Sequence, residues 1–297
     1  MAILKPSPAT KQKPIIVLYG KGGIGKDTFA AGFPSPLVID IEDGAGYVTD
    51  SRIVPTSWED TLAKVDAFDT NKYATLVLSG LDVLEALLHR HIVATDPKGA
   101  KTMVTAAGGY ANAFKVADEM WAELQDKLRK VRASGKYVVC VCHEHVYSYN
   151  DPMLEPYDRY RLKLYDGSKA SASRLWFDFA DIVGFCKPRI YNKGENRAFM
   201  DEGSTYLYTQ GRASFDAKSR LPLPAEMELN AAKFLAALER GPLGKEELYK
   251  ELLDLGAKIK DQGTQAKVKQ RAEEYKNSVP DLSNLVEQVK IILTKEQ

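Results

Sequence analysis

The sequence predicts an α/β fold: a mostly parallel sheet between helices, an antiparallel extension of that sheet, and a small C-terminal helical region. Three observations lead there. The apolar runs at 15–19, 37–42, 73–78 and 137–142 are continuous rather than alternating, as in strands buried on both faces. Helical patterns separate these runs, the arrangement of parallel strands joined by crossover helices. Beyond Pro224 the composition shifts to Lys, Glu, Leu and Ala at helical spacing.

The elements follow in order. Residues 1–12 contain no apolar segment of signal-peptide type and read as a flexible tail ahead of a core at 13–225. The first strand, from Ile15, ends at Gly20, and a helix opens at Gly25-Lys26, stopped within two turns by Gly32, Pro34 and Pro36. Leu37 to Glu42 is the second strand, bounded by Pro36 and Gly44. Ser57-Trp-Glu-Asp60 starts a helix in capping-box fashion, running to about Phe68. Tyr73 to Leu78 is the third strand, and Asp82 to about Ala94 an amphipathic helix. A Gly-containing loop at 95–109 leads to a long helix from about Tyr110 to Ala133, ended by Gly135. Tyr137 to Cys142 is the fourth strand, followed by a long polar segment at 147–174.

Asp181 to Cys186 begins another strand, and shorter strands are expected at Arg189–Tyr191, Arg197–Met200 and Thr205–Thr209. Asn192-Lys-Gly194 is the turn signal for antiparallel pairing there. Gly241-Pro242 and Pro280 divide the C-terminal region, 226–297, into three helices.

At 297 residues the chain holds one large domain and a small appendage. Its net charge of +1 restricts any nucleic-acid contact to a local patch. Cys140, Cys142 and Cys186 sit in strand-like runs and read as buried small hydrophobes in a reducing compartment. The string Cys140-Val-Cys142-His143-Glu-His145 has ligand spacing that fits no common structural zinc site. No apolar run reaches membrane-spanning length, so a cytoplasmic protein with no membrane partner is expected.

The most informative stretch is Gly20-Lys21-Gly22-Gly23-Ile24-Gly25-Lys26-Asp27-Thr28. It matches G-x-x-x-x-G-K in strand-to-helix context, the pattern of a phosphate-binding P-loop. Its glycines let successive backbone N–H groups converge on phosphate oxygens, and Lys26 supplies a point charge for the terminal phosphates. ATP with Mg²⁺ is the expected ligand. The same string contains G-x-G-x-x-G, and Asp40 or Glu42 stands where a dinucleotide fold places its ribose-binding acid. Against that rival, Lys26 follows directly on the last glycine, where a dinucleotide fold packs apolar residues.

One position departs from the P-loop pattern: the hydroxyl residue expected after Lys26 is Asp27. The third strand, whose end is expected to carry an acid near Mg²⁺, ends in Ser79. The two departures are complementary. Asp27 and Ser79 are therefore expected to have exchanged roles, leaving one carboxylate and one hydroxyl at the metal, with Asp82 as a further ligand candidate. Glu42 is placed to polarise a water towards the γ-phosphate as a general base. His143 is a candidate γ-phosphate sensor or an ordinary strand-end histidine.

With these residues identified, the chain resembles the RecA-like ATPases, and more narrowly the minimal phage-encoded members that act in single-strand annealing or recombination. The likeness rests on the P-loop, Ile39–Glu42, Cys142–His145 and Ala217-Lys218-Ser219-Arg220. It implies that Glu42 is catalytic, and that Lys218 and Arg220 touch the nucleotide of a neighbouring subunit in a ring or filament. It further implies recombination on single-stranded DNA in the cytoplasm of a phage-infected bacterium, with a single-strand-binding protein as a candidate partner.

The segment 147–174 interleaves Tyr147, Tyr149, Tyr157, Tyr160 and Tyr165 with Arg159, Arg161, Lys163, Lys169 and Arg174. Stacking faces beside cations suit a sequence-tolerant single-strand groove. Two other readings stay open. Lys21-Gly-Gly-Ile-Gly-Lys26 also resembles the deviant P-loop of the ParA and MinD partition ATPases, whose extra lysine acts across a dimer. A degenerate P-loop that binds nucleotide without hydrolysing it is the other.

Overall fold

Five apolar strands at the centre of the chain assemble into one sheet covered on both faces. The computed structural model describes residues 12–192, 198–240, 245–276 and 279–295. The N-terminal half runs β1 (Ile15–Gly20), α1 (Lys26–Ala31), β2 (Pro36–Asp40), β3 (Arg52–Ile53), α2 (Trp58–Asp66), β4 (Thr75–Ser79), α3 (Leu81–Ala94) and α4 (Asn112–Ala133). There follow β5 (Tyr137–Tyr149), β6 (Tyr157–Leu162), α5 (Ala172–Phe179), β7 (Ile182–Asn192), β8 (Ala198–Tyr208), β9 (Lys218–Ser219) and β10 (Glu226–Glu228). The chain closes with α6 (Ala231–Arg240), α7 (Lys245–Gly256), α8 (Gln262–Tyr275) and α9 (Val279–Lys295).

The strand order is β10-β8-β7-β1-β5-β4-β2-β3. From β7 to β3 all neighbours are parallel, while β8 and β10 add antiparallel strands at one edge. The expected parallel sheet with an antiparallel extension is thus the observed one. Two-sided burial explains the continuous apolar strands. On β1, Ile15, Val17 and Tyr19 face the layer of α2, α3, α4 and α5, whereas Ile16 and Leu18 face α1 and α6. Trp58, Trp121 and Trp176 stack edge to face in the first layer, and Phe29, Phe33 and Phe234 pack together in the second.

The fourth strand is more than twice as long as expected. It runs past Cys142 to Tyr149 and folds back through β6, so the polar segment from 147 begins as an antiparallel hairpin. At the C-terminal end the described residues hold four helices where three were expected, because α7 and α8 are separated at residues 257–261, with Asp261 capping α8 through the Thr264 amide. Pro280 marks a helix boundary as expected: α8 ends at Tyr275 and α9 opens at Val279, with Pro280 in its first turn, where its missing N–H has no helical partner to lose. A boundary at 226 does not coincide with the change in packing. Strand β10 pairs with β8 and Phe234 of α6 packs on the sheet, while α7, α8 and α9 share a separate core around Leu252, Ala272 and Val289. The tail at 1–11, Lys193-Gly194 of the expected turn, Arg197 and Gly241-Pro242 lie outside the described residues. Among the described residues no helix is long and apolar enough to cross a membrane.

Candidate functional site

The Gly-rich loop connects the C-terminal end of β1 to α1, at the centre of the parallel sheet, where such folds place their ligands. Gly23 and Gly25 have φ of 74° and 99°, conformations that glycine adopts without strain. The Lys26 side chain is buried, and its ammonium donates to the Gly20 carbonyl at 2.9 Å and the Lys21 carbonyl at 2.8 Å. The lysine thus lies curled under its own loop, with Lys21 exposed on the outside. Ile24 packs against the α1 and α6 layer, Asp27 is half-buried and Thr28 is exposed. The helix that follows has six residues, ended by Gly32. A cradle for phosphates here rests on loop amides and Lys26 more than on a helix dipole.

Asp27 and Ser79 meet directly: the Ser79 hydroxyl donates to Asp27 Oδ1 at 2.5 Å. Strand β4 lies two strands from β1, so the contact spans the sheet end. A carboxylate and a hydroxyl side by side next to a phosphate loop are two hard oxygen donors, the donor set Mg²⁺ prefers.

Three further residues converge on this end of the sheet. Glu42 follows β2, Asp82 lies in the first turn of α3 after β4, and His143 lies on β5, so three adjacent strands deliver one side chain each. His143 Nδ1 is 3.1 Å from Glu42 Oε1 and 3.1 Å from Asp82 Oδ2. Asp82 also accepts the His143 backbone N–H at 3.2 Å and pairs with Lys163 at 3.3 Å. The opposite ring nitrogen faces the phosphate loop, because a Cβ placed on Gly22 would lie 3.4 Å from His143 Nε2. Burial pushes the Glu42 carboxyl up; the His143 charge pulls against it and Asp82 and Asp27 reinforce it, with a raised pKa as the outcome. For Asp82 burial acts upward too, but the charge and hydrogen bonds of His143, with Lys163, outweigh it and the carboxyl lies below its usual range.

Gly80 carries no recognisable chemistry in the sequence, yet it shapes this cluster. Its φ is 98°, and a Cβ there would come within 2.6 Å of Glu42 Cγ. Asp40, by contrast, is fully engaged inside the fold. It accepts from the Gly44 and Ala45 amides and pairs with Arg52 at 2.9 Å, closing the turn after β2. That occupation leaves it no part as a ribose-binding acid.

Lys218 and Arg220 do not reach the loop of their own chain. Lys218 pairs with Val183 on β7, whereas Gly20 lies beside Cys186, three residues or roughly 10 Å further along the strand. Arg220 contacts Asp181 at 3.1 Å and the Asp178 carbonyl at 2.7 Å, while Lys218 lies over the Phe177 ring. Burial, followed by the Arg220 charge, depresses the Lys218 pKa.

The tyrosines of 147–174 divide into two sets. Tyr160 stacks on Phe185 and Tyr165 on Phe114, both turned into the fold. Tyr147, Tyr149 and Tyr157 line the hairpin, with Arg161 over the Tyr147 ring at 3.7 Å and Arg159 over Tyr149 at 4.8 Å. Both arginines also hold carboxylates, Asp166 and Asp216 respectively. Lys163 belongs to Asp82 and Lys169 donates to the Tyr110 carbonyl, so most cations of this segment have internal partners. The three cysteines are buried and unbridged, and burial pushes the Cys186 thiol up to about 12. Among the described residues the group of potential metal ligands is Glu42, Asp82 and His143, without Cys140, Cys142 or His145.

The model of one protein family, described as an AAA domain, matches residues 12–221, a span that takes in every residue of the site described above. No curated protein matches the chain.

Proposed function

The chain belongs to the AAA domain family, a P-loop NTPase-type family, and on that premise we propose that it is an ATPase acting on single-stranded DNA. ATP is held by Gly20–Thr28, with Lys26 turning from the loop carbonyls to the β- and γ-phosphates. Asp27 and Ser79 would hold Mg²⁺, which when bound offsets the charge of those phosphates. Glu42 accepts a proton from the attacking water, a task suited by a carboxyl whose affinity for protons is raised. His143 orients Glu42 through Nδ1 and presents Nε2 to the γ-phosphate. The observation that carries this reading is the convergence of Glu42, Asp82 and His143 beside the loop.

The nucleic-acid part of the proposal rests on β5. One unbroken strand carries both His143 and the aromatic hairpin residues Tyr147 and Tyr149, so a shift of His143 on nucleotide binding is passed along a stiff element. The rings of Tyr147 and Tyr149 are partly exposed, and an aromatic face that reaches solvent can stack on bases without reading sequence. We further propose assembly of identical subunits in a ring or filament, with Lys218 and Arg220 directed at a neighbour's nucleotide, and a single-strand-binding protein as an accessory partner. The finer resemblance to phage-encoded annealing and recombination ATPases belongs to this proposal.

The test is fluorescence anisotropy of a labelled single-stranded oligonucleotide, titrated with wild type and Glu42→Gln, with and without ATP and Mg²⁺. Glu42→Gln arrested with ATP should bind more tightly than the nucleotide-free protein. Equal and weak binding in every state sinks the DNA reading while leaving the ATPase reading standing.

A further inference from the structure

We propose that His143, Glu42 and Asp82 form a binding site for a transition-metal dication, separate from the Asp27–Ser79 pair and independent of nucleotide. The ligand atoms are His143 Nδ1, Glu42 Oε1 and Asp82 Oδ2, all within 4.8 Å of one another. Metal–ligand bonds of about 2.0–2.2 Å place neighbouring ligands of a tetrahedral or octahedral ion roughly 3.0–3.5 Å apart. The two nitrogen-to-oxygen distances, each 3.1 Å, fall inside that range.

The architecture holds these atoms in place before any ion arrives. Each ligand comes from a different element of the rigid sheet end, and Asp82 is fixed by the His143 backbone amide through its other oxygen. Glu42 reaches inward only because residue 80 lacks a Cβ. The remaining coordination positions are left to water. An imidazole with two carboxylates suits Zn²⁺, Mn²⁺, Fe²⁺ or Co²⁺, whereas Mg²⁺ and Ca²⁺ favour oxygen ligands alone.

Binding moves a proton and no electrons. The neutral imidazole takes the tautomer with its one ring proton on Nε2, and the free Nδ1 lone pair and two carboxylate oxygens bind the ion; nothing is oxidised or reduced. With Nδ1 coordinated, the ring proton is confined to Nε2, the nitrogen that faces Gly22. An occupied site therefore presents a fixed N–H donor towards a nucleotide's phosphates while withdrawing Glu42 from water. The cation would hold ATP in place and stop its hydrolysis.

The experiment uses the full chain, nucleotide-free and stripped with chelator, titrated with Co²⁺ while visible absorption is followed. One equivalent should produce d–d bands that saturate. His143→Gln, which keeps a hydrogen-bonding amide, and Asp82→Asn should each weaken uptake at least tenfold, with circular dichroism confirming that both variants are folded. Asp27→Asn should leave Co²⁺ uptake intact while lowering Mg²⁺-dependent ATP-analogue binding, so a failure of the P-loop reading is distinguishable from a failure of this one. Absence of stoichiometric Co²⁺ binding by the wild type overturns the proposal, as does undiminished binding by the folded His143→Gln variant.

Discussion

The Ser79 hydroxyl donates to the Asp27 carboxylate across 2.5 Å, joining the residue after the P-loop lysine to the end of β4. Each residue is the type expected at the other's position. If they share one ligand, their effects cannot be independent. Asp27→Ser alone removes the carboxylate, and Ser79→Asp alone sets two carboxylates in contact. The double change restores one of each and should recover Mg²⁺-dependent nucleotide binding beyond either single variant. Isothermal titration of all four proteins should give a coupling of about 0.5–3 kcal/mol. Simple additivity would show that the two positions do not serve the same ion.

Gly80 tests the placement of Glu42. Alanine at φ 98° is strained by roughly 1–2 kcal/mol, and its methyl group would press on Glu42 Cγ. Gly80→Ala should lower stability by about that amount in urea unfolding and slow ATP turnover more than it weakens ATP binding. Turnover equal to wild type in the folded variant would place the base elsewhere.

Glu85 gives a pH dependence with a definite sign. Both of its carboxyl oxygens accept the Tyr165 amide, at 2.9 and 3.0 Å, and burial raises its pKa from 4.5 to about 7. The folded state therefore favours the protonated acid, and the associated stability is complete below pH 4.5 and lost as pH rises to about 7. Glu85→Gln does not titrate and keeps an acceptor for Tyr165. Its stability relative to wild type should rise between pH 5 and 8 by up to about 3 kcal/mol, at 1.36 kcal/mol per pH unit. Urea unfolding at the two pH values measures this; a constant difference would mean that Glu85 is ionised throughout.

Much of the site was legible in the sequence because its parts are local. The P-loop is one contiguous string, and Glu42, Ser79, Asp82 and His143 each follow or end a recognisable apolar strand. Their convergence was not legible, since it depends on the strand order β5-β4-β2, which no local pattern encodes. Gly80 matters only through a contact with a residue 38 positions earlier. The hairpin escaped because His143 to Tyr149 leaves the core, so its strand carries no apolar run to announce it. Tyr160 and Tyr165 look like exposed stackers in composition and turn out to be packed on Phe185 and Phe114.

Lys218 and Arg220 lie away from the loop of their own chain, so any part in hydrolysis has to be played in a neighbouring subunit. Mixing Lys26→Ala with Arg220→Ala subunits should then restore some ATPase activity, because one interface combines an intact loop with an intact arginine. No recovery at any ratio, with both variants folded and co-assembling, argues for a purely structural Arg220 holding Asp181.

The proposed ATPase activity depends on the loop at Gly20–Thr28 binding nucleotide through Lys26. Direct titration of wild type and Lys26→Ala with a fluorescent ATP analogue, in Mg²⁺, measures that dependence. Loss of a charged contact of roughly 1.5–3 kcal/mol predicts that affinity falls by an order of magnitude or more in the variant. Unchanged affinity in a folded Lys26→Ala protein would contradict the assignment of the loop.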